Sequence, residues 1–142
     1  MSDLTLDPRL EADTLPVTEL GLCQVRLMND ARFPWLVLVP RRPGVTEVYQ
    51  LSREDQATLW REATALGEGL MKILDGDKLN LATLGNMVPQ LHLHVIVRFE
   101  EDAAWPAPVW GQGRAEPYDA DGQARRRDEI LAIIEGLDLG EA

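Results

Sequence analysis

Apolar and polar residues alternate most strictly over Gln90-Leu91-His92-Leu93-His94-Val95-Ile96-Val97. The pattern predicts a β-strand with Gln90, His92 and His94 on one face and Leu91, Leu93 and Val95 on the other. A slip of one residue would bury the polar row and expose the leucines, so the register should be fixed. A second apolar run, Trp35-Leu36-Val37-Leu38-Val39, predicts a strand closed by Pro40. Before it, Cys23, Val25 and Leu27 alternate with Gln24 and Arg26, which predicts one strand or a pair bent at Gly21. The intervening Asn29-Asp30-Ala31-Arg32-Phe33-Pro34 has loop composition, so the two flanking runs form an antiparallel hairpin.

Helical spacing is clearest after Ser52. Leu59, Ala63, Leu66, Leu70 and Ile73 or Leu74 recur at three- and four-residue steps, with Ser52 as N-cap, Glu54 and Asp55 in the first turn and Gly76 as the C-terminal cap. Asp7-Pro8 predicts a short helix inside an N-terminal arm of residues 1–16, which Pro16 ends. Residues 79–82 are extended. The segment 100–117 is irregular, because Pro106 and Pro108 forbid a central strand. Its Trp105 and Trp110 are too costly to leave in water, so it folds back on the body or meets another chain. Residues 121–135 predict a last helix with Ile130, Leu131, Ile133 and Ile134 inward, stopped by Gly136. Strands and helices without regular βαβ alternation indicate an α+β fold with an antiparallel sheet.

A length of 142 residues predicts one domain, 1–142, comprising the arm and a 100–142 C-terminal extension with the Trp/Pro loop and helix. Hydrophobic residues at 45% and charged residues at 27% are ordinary for a soluble globular chain. The net charge of −10 argues against a nucleic-acid binder and against an anionic membrane partner. There is no apolar run long enough to span a bilayer, and Met1-Ser2-Asp3-Leu4 lacks the start of a signal peptide. The single cysteine, Cys23, excludes an internal disulfide framework. Together these predict a cytoplasmic location.

The remaining chemistry lies with the two histidines. An imidazole with one free nitrogen attacks phosphorus at neutral pH when an acceptor holds its other nitrogen. Two histidines on one strand face are also a common structural pair or the start of a metal site. The metal reading needs further ligands, and Glu100, Glu101 and Asp102 come only after a turn-like break. Arg125-Arg126-Arg127 beside Asp128-Glu129 is a solvated helix face.

Gln90-Leu-His92-Leu-His94-Val-Ile resembles the His-φ-His-φ-His-φ-φ signature of the histidine-triad (HIT) superfamily, where φ is apolar, with Gln90 in place of the first histidine. Gly85-Asn86-Met87-Val88-Pro89 is similar to the segment preceding the triad. Trp35-Leu-Val-Leu-Val-Pro40-Arg41-Arg42-Pro43 is similar to the family's His-x-Leu-Val-x-Pro-Lys/Arg-x strand. The resemblance covers roughly residues 22–98 and implies a meander of about five antiparallel strands with helices on one face, usually paired as a homodimer.

It also implies a function. The middle histidine, His92, attacks the α-phosphorus of a small nucleotide conjugate, and water then releases the mononucleotide from the nucleotidyl-histidine. Dinucleoside polyphosphates, phosphoramidates and adenylyl sulfate all suit this attack. His94, at the last triad position, stabilises the phosphate oxygens, and Gln90 orients the region around His92. Asn29, with Asp30 as the competing residue, holds the ribose, and Asn86 lies near the phosphates. Met87 replaces the Ser or Thr that helps the leaving group, leaving Thr83 or a main-chain amide for that task. No metal site and no cofactor are required, beyond a divalent metal accompanying a polyphosphate substrate. The alternatives are a nucleotide-binding module of this fold without turnover, which the missing first histidine favours, and an H-x-H metal-binding protein. Trp35, where many members carry a histidine, is a further departure.

Overall fold

The structure is a computed structural model that describes residues 4–137. Its first element is α1 (Pro8–Asp13), capped by Asp7, whose carboxylate accepts from the Arg9 amide. The next three strands, β1 (Thr14–Glu19), β2 (Cys23–Met28) and β3 (Trp35–Pro40), form an antiparallel meander. Pro16 does not end the arm. It lies inside β1, an edge strand whose pairing shifts between Pro16 and Thr18, where a missing N–H is tolerated.

After a 3-10 turn at Val48–Gln50, the chain enters α2 (Arg53–Leu74). Ser52 caps it as expected, accepting from the Asp55 amide. The left-handed position at its end is taken by Asp75 (φ 55°), not by Gly76. Gly76 has a different job: a Cβ there would lie 2.5 Å from Val97 Cγ1 and 2.7 Å from Met71 Sδ, so the bare backbone allows the turn to seat against the sheet.

The chain then runs through β4 (Lys78–Ala82) at the far edge and returns as β5 (Leu93–Arg98) between β3 and β4, giving the order β1-β2-β3-β5-β4. All neighbours are antiparallel. The last helix is α3 (Ala120–Glu135), capped by the Asp119 carboxylate.

Strand periodicity assigns the two faces. Val25, Leu27, Leu36, Leu38, Leu93, Val95 and Val97 pack with Leu59, Ala63, Leu66 and Leu70 of α2 and Ile130 and Ile133 of α3. The other face carries Trp35, Val37, Val39 and Ile96, covered by Leu10 of α1, Phe33, and Ala104 and Val109 of the Trp/Pro segment. That segment therefore folds back on the sheet, on the side away from the long helices. Glu62 crosses the main core to accept from the amides of Leu22 and Cys23 at 2.9 and 3.0 Å, which ties α2 to the β1–β2 turn. Burial, with the neighbouring Glu62 carboxylate, pushes the Cys23 thiol well above its ordinary range. Arg126 pairs with Glu129 at 2.7 Å on α3.

Candidate active site

β5 begins at Leu93, three residues later than the alternation predicts. Gln90 and Leu91 precede it, and the Leu91 amide donates to the Val45 carbonyl instead of to a sheet neighbour. His92 sits at the mouth of the strand and His94 within it. Their ring centroids are 4.8 Å apart in an edge-on arrangement, and both rings are buried.

Both rings line a cavity of about 700 Å³. Leu10 and Met28 contribute apolar wall, Asn29, Asp30 and Asn86 contribute polar wall, and Trp110 closes one side. Trp110 meets His94 edge-on at 5.0 Å and Trp35 at 5.7 Å. Thr83 is exposed and lies outside the lining, whereas its neighbours from Leu84 to Val88 belong to it.

Hydrogen-bond partners fix the two imidazoles in opposite senses. His92 Nδ1 lies 2.7 Å from the main-chain carbonyl of Gln90. A carbonyl only accepts, so Nδ1 carries the proton and neutral His92 keeps its lone pair on Nε2. His94 Nδ1 lies 2.9 Å from Trp35 Nε1. An indole N–H only donates, so Nδ1 accepts and neutral His94 bears its proton on Nε2. Burial, and secondly the charge of neighbouring His92, hold His94 down to about 3, so it is uncharged in neutral solution. One cavity thus holds an imidazole with a free lone pair beside an imidazole with a free N–H.

Gln90 meets His92 through its main chain. Its side chain faces away from the cavity: Oε1 accepts from the Asp7 amide at 2.7 Å and Nε2 donates to the Thr5 carbonyl at 3.1 Å. The predicted sharing of one face with His92 and His94 does not hold, because the strand has not yet started at residue 90 and the arm captures the amide. Gln90→Ala should therefore loosen residues 4–13 while leaving the His92 partner in place. Hydrogen exchange of the arm amides should rise markedly.

Asn29 and Asp30 stitch the β2–β3 loop to the segment before α3. Asn29 Oδ1 accepts from the Tyr118 amide at 2.9 Å, which turns its amide nitrogen into the remaining polar group. Asp30 is held by Arg32 (2.8 Å) and by the Glu116 amide (3.2 Å). Burial raises its carboxyl, but these donors outweigh it and leave it below the usual range. Arg32 also donates to the Gln112 carbonyl at 2.6 Å, securing the stretch that carries Trp110. Sequence reasoning missed Trp110 as a cavity wall, the indole partner of His94 and the Arg32 clamp. The only signal for the first was the cost of exposing two tryptophans.

A family model described as HIT domain matches residues 9–101. The chain belongs to the HIT family. Among the crystal structures similar to this HIT chain over nearly its whole length are two histidine triad proteins. A histidine triad protein from Marinobacter aquaeolei VT8 is 49% identical, with 94% of this chain and 98% of that one covered and a TM-score of 0.91. One from Sinorhizobium meliloti 1021 is 48% identical, with 92% and 96% covered and a TM-score of 0.89. A hypothetical histidine triad nucleotide-binding protein from Sulfolobus tokodaii strain7 shares the HIT fold at 16% identity and a TM-score of 0.66, with 91% and 89% covered. No curated protein matches the chain. The five-stranded antiparallel sheet with helices is the fold of these HIT neighbours. Among the described residues, no helix is long and apolar enough to cross a membrane.

Proposed function

We propose that this HIT protein is a nucleotide-conjugate hydrolase or nucleotidyl transferase that works through a covalent nucleotidyl-histidine on His92. The observation that carries this reading is the pair of oppositely fixed imidazoles at one cavity. His92 Nε2 supplies the lone pair that attacks the α-phosphorus. The N–P bond forms as the bond from phosphorus to the leaving group breaks, and the electron pair departs with that group. Water then attacks phosphorus, the N–P bond breaks, and a nucleoside monophosphate leaves. His94 Nε2–H is a donor for the phosphoryl oxygens whose charge grows in both transition states.

Asn29 and Asn86 are the polar groups we assign to ribose and phosphate. Asp30, already engaged by Arg32, serves to hold the loop. Leu10, Met28 and Trp110 suit the flat apolar face of a base. No resident cofactor enters the reaction, and a divalent metal arrives only with a polyphosphate substrate. We place the reaction in the cytoplasm, in keeping with the lone buried thiol of Cys23. A homodimer completes the proposal, since β4 leaves one sheet edge unpaired.

A panel of dinucleoside polyphosphates, phosphoramidates and adenylyl sulfate tests the reading, with chromatography of released mononucleotide. Release from at least one class is expected. Binding of AMP or GMP by calorimetry without release from any class would make the protein a binding module instead. Failure to bind nucleotide at all would remove the proposal.

A further inference from the structure

Trp35 donates its indole N–H to His94 Nδ1. It stands opposite Ile96 in the β3–β5 register, diagonal to His94, and the two side chains share the face that looks into the cavity. The indole and the imidazole are 5% and 4% exposed. Phe33 packs edge-on against the indole at 6.3 Å, and Trp110 meets both rings, so the Trp35–His94 bond has little freedom to rotate away.

We propose that Trp35 is a positioning residue that keeps His94 an uncharged Nε2–H donor, so that a phosphoryl oxygen meets a neutral imidazole of fixed tautomer. The proposal deepens the reading of His92 as nucleophile and rests on it for its catalytic consequence.

Charging His94 would put a proton on Nδ1, directly facing the indole N–H at 2.9 Å, where two donors oppose each other. The hydrogen bond would be lost and a buried donor left unmet. From β3 the neighbours of His94 are Trp35 and Val37, from β4 Ala82, and from the Trp/Pro segment Trp110, none of them ionisable. Among the described residues, the one titratable group against the ring is His92, a like charge whenever both are protonated. Nothing among these residues would reward a cation. The depressed protonation of His94 agrees with the geometry.

The alternative tautomer, with the proton on Nδ1, is excluded by the same indole. It would turn a lone pair on Nε2 toward the anionic oxygens and repel them. Without the indole, the two tautomers and the cation compete, and only part of the population presents the donor.

Nitrogen-15 NMR of the imidazoles in the full-length protein reads this directly. In the parent, His94 should show the Nε2–H tautomer, with shifts unchanged between about pH 5 and pH 9. In Trp35→Phe, which keeps a ring and removes the donor, His94 should become a mixture of tautomers and titrate at higher pH. The kcat for mononucleotide release should fall roughly three- to ten-fold, the scale of one hydrogen bond, with KM little changed. An Nδ1–H tautomer or a cation at pH 7 in the parent would overturn the proposal, and that measurement stands even if Trp35→Phe does not fold. Unchanged His94 shifts in a folded Trp35→Phe would overturn it as well. Absence of turnover on every substrate would count against the hydrolase reading, while the tautomer measurement would still decide the role of Trp35.

Discussion

His92→Asn should abolish mononucleotide release, with a loss of roughly 10⁴-fold or more in kcat and little change in stability. The side chain sits at the mouth of β5, where asparagine still offers a polar group near the Gln90 carbonyl but no nitrogen lone pair for phosphorus. His94→Ala should behave differently. On the proposed reading it removes one donor to the phosphoryl oxygens and leaves the nucleophile, so the loss should be roughly 10²- to 10³-fold. The pH profile bears on His94: held down to about 3, it stays uncharged and should add no limb of its own across the neutral range. Steady-state kinetics of the two variants and a parent pH series check all three expectations.

The largest stability effect should come from Asp102→Ala, about 3–5 kcal/mol as expected for breaking a buried ion pair. Asp102 accepts two bonds from Arg98, at 2.7 and 3.0 Å, and the side chains are 4% and 2% exposed. It also accepts from the amides of Phe99, Ala104 and Trp105, so one carboxylate folds the start of the Trp/Pro segment. Arg98 in turn reaches Asn80 on β4 and the Ala107 carbonyl, and lies over the rings of Phe33 and Trp105. Removing the carboxylate strands a buried guanidinium under the segment that leads to Trp110.

The pH dependence follows from the same contacts. Burial raises the Asp102 carboxyl, but the Arg98 bonds and the three amides outweigh it and bring it to about 2. A depressed folded-state value means stability that is present above the ordinary carboxylate value of 3.8 and is lost as pH falls toward about 2. Denaturant midpoints of parent and variant should therefore differ most at neutral pH and converge in strong acid.

Much of this arrangement is legible in the residues. Ser52 and the spacing from Leu59 to Leu70 define α2 because capping and one-sided burial are local properties. The two-residue period around His94 places it on the cavity face for the same reason. Three features escape such reasoning. The start of β5 depends on the arm, since Gln90 is captured by Thr5 and Asp7, more than eighty residues distant in sequence. The end of α2 depends on Val97 and Met71, which leave room only for a glycine at position 76 and shift the left-handed turn to Asp75. The tautomers depend on which atom lies opposite each Nδ1, and neither the Gln90 carbonyl nor the Trp35 indole is marked by any local pattern. Long-range packing places both partners.

A covalent nucleotidyl-enzyme, if trapped, identifies the nucleophile itself. The protein should be mixed with a nucleotide conjugate bearing a labelled α-phosphate, quenched in base during turnover, and mapped by peptide mass spectrometry. One nucleotidyl group is expected on His92, stable in base, labile in acid and absent from His92→Asn. Label on any other residue, or rapid mononucleotide release by His92→Asn, would contradict it.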